Sequence, residues 1–312
     1  MPKIEVDKSI FIQVPAATVF EVVSDLSQWR PWNPWLITDP SVTVSIHDGG
    51  KGYNWEGPRS GAGEMKIAAE QFPTSVELDL RFFKPFKSKA QAQFAFESEG
   101  EGTRVKWSMR SGMPFYLFFL TKMMKTMIGM DYERGLSMLK DKLETGKVPS
   151  KIEYPGEMNY PGCDYVGLSS ECAMAELAQV MSGDFQKLAA WQKESSLVPS
   201  ADPFCTYRKW DLSKGRVKYT CGVPVASSPA TVPDGFETGR IPPLKTYVLD
   251  HVGPYRHLGN AWSAGMQMQQ AKEFRSSKVF TPFETYSLRP DGSLPGKDSD
   301  ETTRTSIHFP IE

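Results

Sequence analysis

The chain has 312 residues, which at about 100–200 residues per domain predicts two domains and excludes a single small module. Its 36 basic and 37 acidic residues leave a formal net charge of −1, so no overall field draws it to nucleic acid or to an anionic membrane. Hydrophobic residues make up 40% and charged ones 23%, a balance that excludes long disorder, while the 12% aromatic content suits both cores and pockets for flat or cationic molecules.

The amino terminus, Met1 to Lys8, carries charges where a secretory signal needs an unbroken apolar core, which predicts no export. Lys3 to Val14 then alternates as a strand, and Ala16 to Leu26 follows as a helix with Val19, Phe20, Val22 and Val23 on one side. Trp29, Trp32 and Trp35, spaced by Arg30, Pro31, Asn33 and Pro34, form a turn open to two readings: packing against a sheet edge, or a lid over a ligand. Gly49-Gly50-Lys51-Gly52 lacks the Gly-Lys-Ser/Thr ending of a phosphate loop and reads as a hairpin turn. Alternating runs around Val42–Ile46, Gly52–Gly57, Gly61–Ala69, Val76–Phe82, Ala90–Phe96 and Val105–Met109 predict an antiparallel meander. A long helix, Phe115 to Glu144, closes this half. Its most apolar part, Met113 to Met130, is broken by Lys122 and Lys125 below the ~18 residues of a membrane span. Met113, Met123, Met124, Met127 and Met130 are expected to fill the core.

A sheet of this order can wrap the final helix and leave a cavity between them. Val19 to Asp25 with the three tryptophans, ending in Asp131-Tyr132-Glu133-Arg134-Gly135-Leu136, resembles the START-like SRPBCC superfamily in its polyketide-cyclase-like branch, over roughly Lys3 to Gly146. The resemblance implies a helix-grip fold and says little about function, because the superfamily includes carriers, cyclases and oxygenase subunits.

Pro and Gly between Thr145 and Pro161 mark a boundary, either a linker or a linker with one added strand, so the expected domains are 1–147 and 159–312 with a linker at 148–158. Beyond it the sequence repeats. Pro203-Phe204-Cys205-Thr206-Tyr207 recurs as Pro282-Phe283-Glu284-Thr285-Tyr286, each preceded by a strand and a helix and followed by another strand. Two βαββ units are therefore expected to pair about a pseudo-twofold axis, since neither buries its sheet face alone. The fold class is α+β throughout. The run from Thr246 to Gly259 with Trp262, the second Pro-Phe copy, and Thr305 to Ile311 are similar to the GyrI-like effector-binding domain of bacterial transcription activators. That resemblance implies a groove binding small aromatic or cationic molecules around an acidic residue, here Glu284.

Glu284 also stands out without it: the sister position is Cys205, so a carboxylate breaks the internal symmetry amid aromatic residues. Desolvated there, it should favour protonation or a cationic ligand; an exposed or Arg304-paired carboxylate is the alternative. Tyr207, Trp210, Tyr219, Tyr255, Trp262, Phe283 and Tyr286 are the expected pocket walls. His251, His257 and His308 read as structural, and His47 as a loop histidine without a partner.

Cys163, Cys172, Cys205 and Cys221 show no Cys-x-x-Cys or zinc spacing and read as reduced, mostly buried thiols of a cytoplasmic protein, with no metal or other cofactor expected. No Gly-x-Ser-x-Gly elbow, dinucleotide fingerprint or His-Glu-x-x-His helix is present. The expected function is binding, for sequestration or sensing, of a small hydrophobic or cationic organic ligand, with neither nucleic acid nor membrane as partner. Two alternatives stand beside it: hydrolysis of small electrophiles with Glu284 as general base assisted by Tyr255 or Tyr286, and a protein-directed regulator.

Overall fold

The computed structural model describes residues 3–112, 115–195, 197–227, 229, 231–288 and 300–312. The chain divides into two units, Met1–Pro149 and Ser150–Glu312, each with its own sheet.

In the first unit, β1 (Lys3–Ile12) leads through α1 (Ala16–Val23) to β2 (Thr43–His47), β3 (Gly52–Gly57), β4 (Gly61–Gln71), β5 (Ser75–Lys84), β6 (Ser88–Glu99) and β7 (Gly102–Gly112). A 3₁₀ segment, Phe115–Leu120, precedes α2 (Thr121–Thr145), so the α-helix proper starts later than the sequence predicts. The sheet is antiparallel in the order β1-β7-β6-β5-β4-β3-β2. Period-two alternation sends Ile4, Val6, Phe94 and Trp107 inward and leaves Glu5, Asp7, Gln93 and Lys106 outside.

Helix α2 lies against β1 and β7. The close approach depends on Gly135, where a Cβ would stand 2.7 Å from the Trp107 ring. Trp107 stacks on Tyr132 at 3.9 Å and on Phe94 at 4.7 Å, and the fully buried Trp29 and Trp32 pack edge-on against the same rings. Trp29 and Trp32 are thus core residues rather than a lid. These rings lie between the sheet and the helix, where the sequence led us to expect a cavity. Trp35 is half-buried and donates to Asp131 at 3.1 Å.

Two other expectations are corrected. Met124, Met127 and Met130 are 36 to 40% exposed instead of filling the core, because they lie on the face of α2 turned from the sheet; Met113 falls outside the described residues. His47 has a partner, Asp48, at 2.9 Å.

The second unit holds β8 (Lys151–Tyr160), β9 (Cys163–Ala173), α3 (Leu177–Glu194), β10 (Phe204–Asp211), β11 (Arg216–Val225), β12 (Glu237–Ile241), β13 (Leu244–Val252), α4 (Gly259–Gln270), β14 (Phe283–Tyr286) and β15 (Arg304–Pro310). Its eight strands run β12-β9-β11-β10-β14-β15-β13-β8. The order is a palindrome of the two repeats about the β10–β14 pair, where Cys205 directly faces Glu284. Ala173 and Pro254, heading the two helical segments, share the same backbone angles, φ −67 and ψ 145.

The stretch read as a linker supplies most of β8, which pairs with β13 and forms the edge strand matching β12 on the far side. This is the added strand the sequence left open; Pro155-Gly156 blurs it, because the register shifts there and Gly156 takes φ +87, which breaks the alternation a strand would show. Cys172, Cys205 and Cys221 are buried, Cys163 is half-buried, and all four are free thiols.

Candidate functional site

The centre of the second sheet carries the site. On the face beneath the helices, the antiparallel register lines up Cys221, Cys205, Glu284 and Ile307 in one row, with Tyr219 opposite Tyr207 in the next. Glu284 therefore stands beside the pseudo-twofold axis and reaches a tyrosine from each repeat. Its carboxylate accepts from Tyr207 at 3.1 Å, from the Tyr286 hydroxyl, and from the Trp262 indole N–H supplied by α4.

Glu284 is 1% exposed. Burial pushes its carboxyl above the usual range, and the donors Tyr286, Trp262 and Tyr207 pull the other way without cancelling it. Tyr207 and Tyr286 are held far above the ordinary phenol value by burial first and the neighbouring carboxylate second, so both stay protonated donors. Of the expected alternatives for Glu284, neither exposure nor an Arg304 pair is found: Arg304 pairs with Glu153 at 2.9 Å and with Asp250.

The two tyrosines are packed in pseudo-symmetric fashion. Tyr207 meets Trp262 of α4 edge-on at 5.3 Å, while Tyr286 meets Phe185 of α3 at 5.3 Å and points its hydroxyl toward the Met181 sulfur at 3.6 Å. Tyr255 closes the Tyr286 side at 5.8 Å. On the Tyr207 side lies a pocket of about 250 Å³, walled by Tyr207, Trp210, Trp262, Met266 and Phe309. Trp210 lies against the Tyr207 ring at 4.8 Å. The rings of Tyr207 and Trp262 thus form the wall between this pocket and the carboxylate their polar atoms hold.

Two expected wall residues stand elsewhere. Phe283 points to the opposite face of the sheet, since neighbours along a strand alternate; there it stacks on His308 at 4.6 Å and packs edge-on to Tyr160. Tyr219 shares the correct face but donates to Asp184 of α3 at 2.9 Å, away from Glu284. Asp184, 3% exposed and also bonded by Ser170 at 2.7 Å, is a buried acid that sequence reasoning missed. The spacing of Met181, Asp184, Phe185 and Leu188 on one helical face was the available signal. His251 is buried, and its Nε2 lies 3.1 Å from the Pro254 carbonyl; burial lowers its pKa to about 4, a structural role.

A larger hollow of about 400 Å³ lies on the outer face of the first sheet among Asp7, Glu77, Asp79, Gln93, Lys106 and Arg110. It has no aromatic wall and no buried polar group. Among the described residues no cluster of His, Cys, Asp and Glu is arranged to hold a metal, and no helix is long and apolar enough to cross a membrane.

Residues 3–144 match the family described as polyketide cyclase / dehydrase and lipid transport. The matched stretch is the first unit, from β1 through nearly all of α2. Its SRPBCC fold, a seven-stranded antiparallel sheet gripping a carboxy-terminal helix, is the one the sequence resembles. Among solved structures, the chain is similar to CalU16 from Micromonospora echinospora at 14% identity, covering 46% of this chain and 77% of that one with a TM-score of 0.32. TTHA0849 from Thermus thermophilus is 21% identical over 45% of this chain and 96% of its own, with a TM-score of 0.34. The EcmrR C-terminal domain is 17% identical, covering 52% of this chain and 98% of that one, with a TM-score of 0.41. No curated protein matches the chain.

Proposed function

We propose that the protein is a cytoplasmic, bacterial-type binder of small organic molecules, whose second unit takes up aromatic cations at the pocket beside Glu284. The observation that carries this reading is a fully enclosed carboxylate at the junction of two repeats, held by three side-chain donors and separated from an aromatic pocket only by Tyr207 and Trp262. Aromatic faces attract a cation without a formal charge of their own. The carboxylate behind them supplies the countercharge at short range, in surroundings that screen it little. A cation seated there favours the ionised form of Glu284 that burial disfavours, so ligand uptake and Glu284 ionisation reinforce one another.

The hydrolase alternative uses the same residues: a carboxyl raised toward neutrality suits a general base, with Tyr286 as the adjacent donor. Glu284 is closed to a reacting water by its three donors, which favours binding over turnover. The test is a thermal-shift panel of aromatic cations on wild type and Glu284→Gln, with product analysis of the same mixtures. Stabilisation lost in the variant supports the binding reading. Glu284-dependent product supports the hydrolase, and no response in either protein overturns both.

A further inference from the structure

The formal charge of −1 hides a local imbalance at one end of the first unit. The β5–β6 hairpin, Arg81 to Lys89, holds four basic residues and no acid, and Met113 to Met130 holds Lys122 and Lys125 and no acid. Phe82 opposite Ser88 closes the hairpin, and Ala90 opposite Ser111 sets the end of β7 beside its base, where Ser111 donates to the Lys89 carbonyl at 3.1 Å. The 3₁₀ segment Phe115–Leu120 begins three residues after Gly112, hence within about 10 Å of that point.

Large apolar side chains stand out from this end. Phe86 is 80% exposed at the hairpin tip, Phe83 49%, and Phe118 and Phe119 are 60% and 66% exposed ahead of α2. Lys87 and Lys89 follow Phe86 along the hairpin, and Lys122 and Lys125 follow Phe119 into α2; all four are exposed and none is in an ion pair among the described residues, whereas Lys84 is matched by Glu56 at 2.7 Å and Arg81 by Glu64 at 3.8 Å. Isolated exposed apolar residues are ordinary, but two exposed phenylalanines followed by unmatched lysines on each of two segments that start from the same end of the sheet are not.

We propose that this end of the first unit docks on an anionic lipid surface. Phenylalanine rings projecting from a hairpin tip and a helix start can enter the boundary between headgroups and acyl chains, while lysines at their base meet lipid phosphates. The observations favour a lipid surface over a protein partner: the rings protrude instead of lining a groove, and once Glu56 and Glu64 have matched Lys84 and Arg81, the charge left over on these two segments is four lysines and no acid.

The test is co-sedimentation with vesicles of phosphatidylcholine alone and of phosphatidylcholine with phosphatidylglycerol at about 3:1. The wild type is expected to pellet with the anionic vesicles only, and salt at about 0.5 M should release it. Lys87→Gln and Lys122→Gln should each weaken binding about fivefold. Phe86→Ser with Phe119→Ser should weaken it at least about tenfold per ring, with melting temperature unchanged because both side chains face solvent. Absence of binding to anionic vesicles overturns the proposal, as does binding that the Phe86→Ser, Phe119→Ser variant retains. Self-association of the wild type in sedimentation velocity, abolished by Phe86→Ser without any vesicle binding, overturns it in favour of an interface between two copies.

Discussion

Trp262→Phe isolates the link that holds the candidate site together. The substitution keeps an aromatic ring against Tyr207 and Phe309 but deletes the N–H that reaches Glu284. A hydrogen bond to a charged group is worth about 1.5–3 kcal/mol, and the lost pyrrole edge adds roughly 1 kcal/mol of cavity cost. The expected loss is therefore about 2–4 kcal/mol at neutral pH. In a Glu284→Gln background the acceptor is neutral, so the same substitution should cost about 1–2 kcal/mol, and the difference is the coupling energy. The sign with pH follows from the raised carboxyl of Glu284. Its protonated form is the one burial favours, so the stability linked to it is present below the ordinary carboxyl pKa and is lost as pH rises through the raised value. Trp262 supports the ionised form, so its deletion should hurt most at about pH 8 and least at about pH 4. Urea unfolding followed at both pH values reads this directly, using the transition that Glu284→Gln moves, since two units can unfold separately. Equal cost in both backgrounds and at both pH values would refute the reasoning.

Other outcomes follow from the same geometry. Trp107→Ala, which removes the ring stacked between Phe94 and Tyr132, should destabilise the first unit by about 3–5 kcal/mol in calorimetry and leave the second transition in place. His251 is neutral in the fold with a pKa of about 4. The unfolded chain therefore binds the extra proton between about pH 6.5 and 4, so His251 should take about 2 kcal/mol from stability between pH 7 and 5; buried His308, also lowered to about 4, adds a similar share, and His251→Asn should roughly halve the histidine-linked slope in urea titrations. Tyr219→Phe, which strips a donor from buried Asp184, should cost about 1–3 kcal/mol in the same titrations and leave affinity for aromatic cations unchanged. A matching loss of affinity would place Tyr219 back in the binding site.

Much of the fold was legible because its signals are local. Alternation located the strands of the first sheet, and the recurrence of Pro-Phe-x-Thr-Tyr exposed the duplication. Strand β8 was legible only as one of two readings of the boundary, because a bulge at Pro155-Gly156 breaks its period and its partner lies about ninety residues onward. The candidate site was legible through one broken symmetry, Glu284 against Cys205. Its membership was less so: Phe283 shares a motif with Glu284 yet faces the other way, a consequence of strand alternation that proximity in sequence conceals. Asp184 was missed although it lies on the apolar face of its helix, because helix periodicity marks a face without saying which polar group on it will be enclosed. The exposed methionines of α2 misled for the same reason, since composition cannot tell a core stripe from one turned toward solvent.

The most direct test of the central claim is a calorimetric titration of the full chain with benzyltrimethylammonium, compared with benzenesulfonate, an anion of similar size. The account predicts heat of binding for the cation and none for the anion, affinity that grows as pH rises and Glu284 ionises, and loss of that affinity in Glu284→Gln. Equal binding of both probes, or cation binding that Glu284→Gln leaves intact, would contradict it.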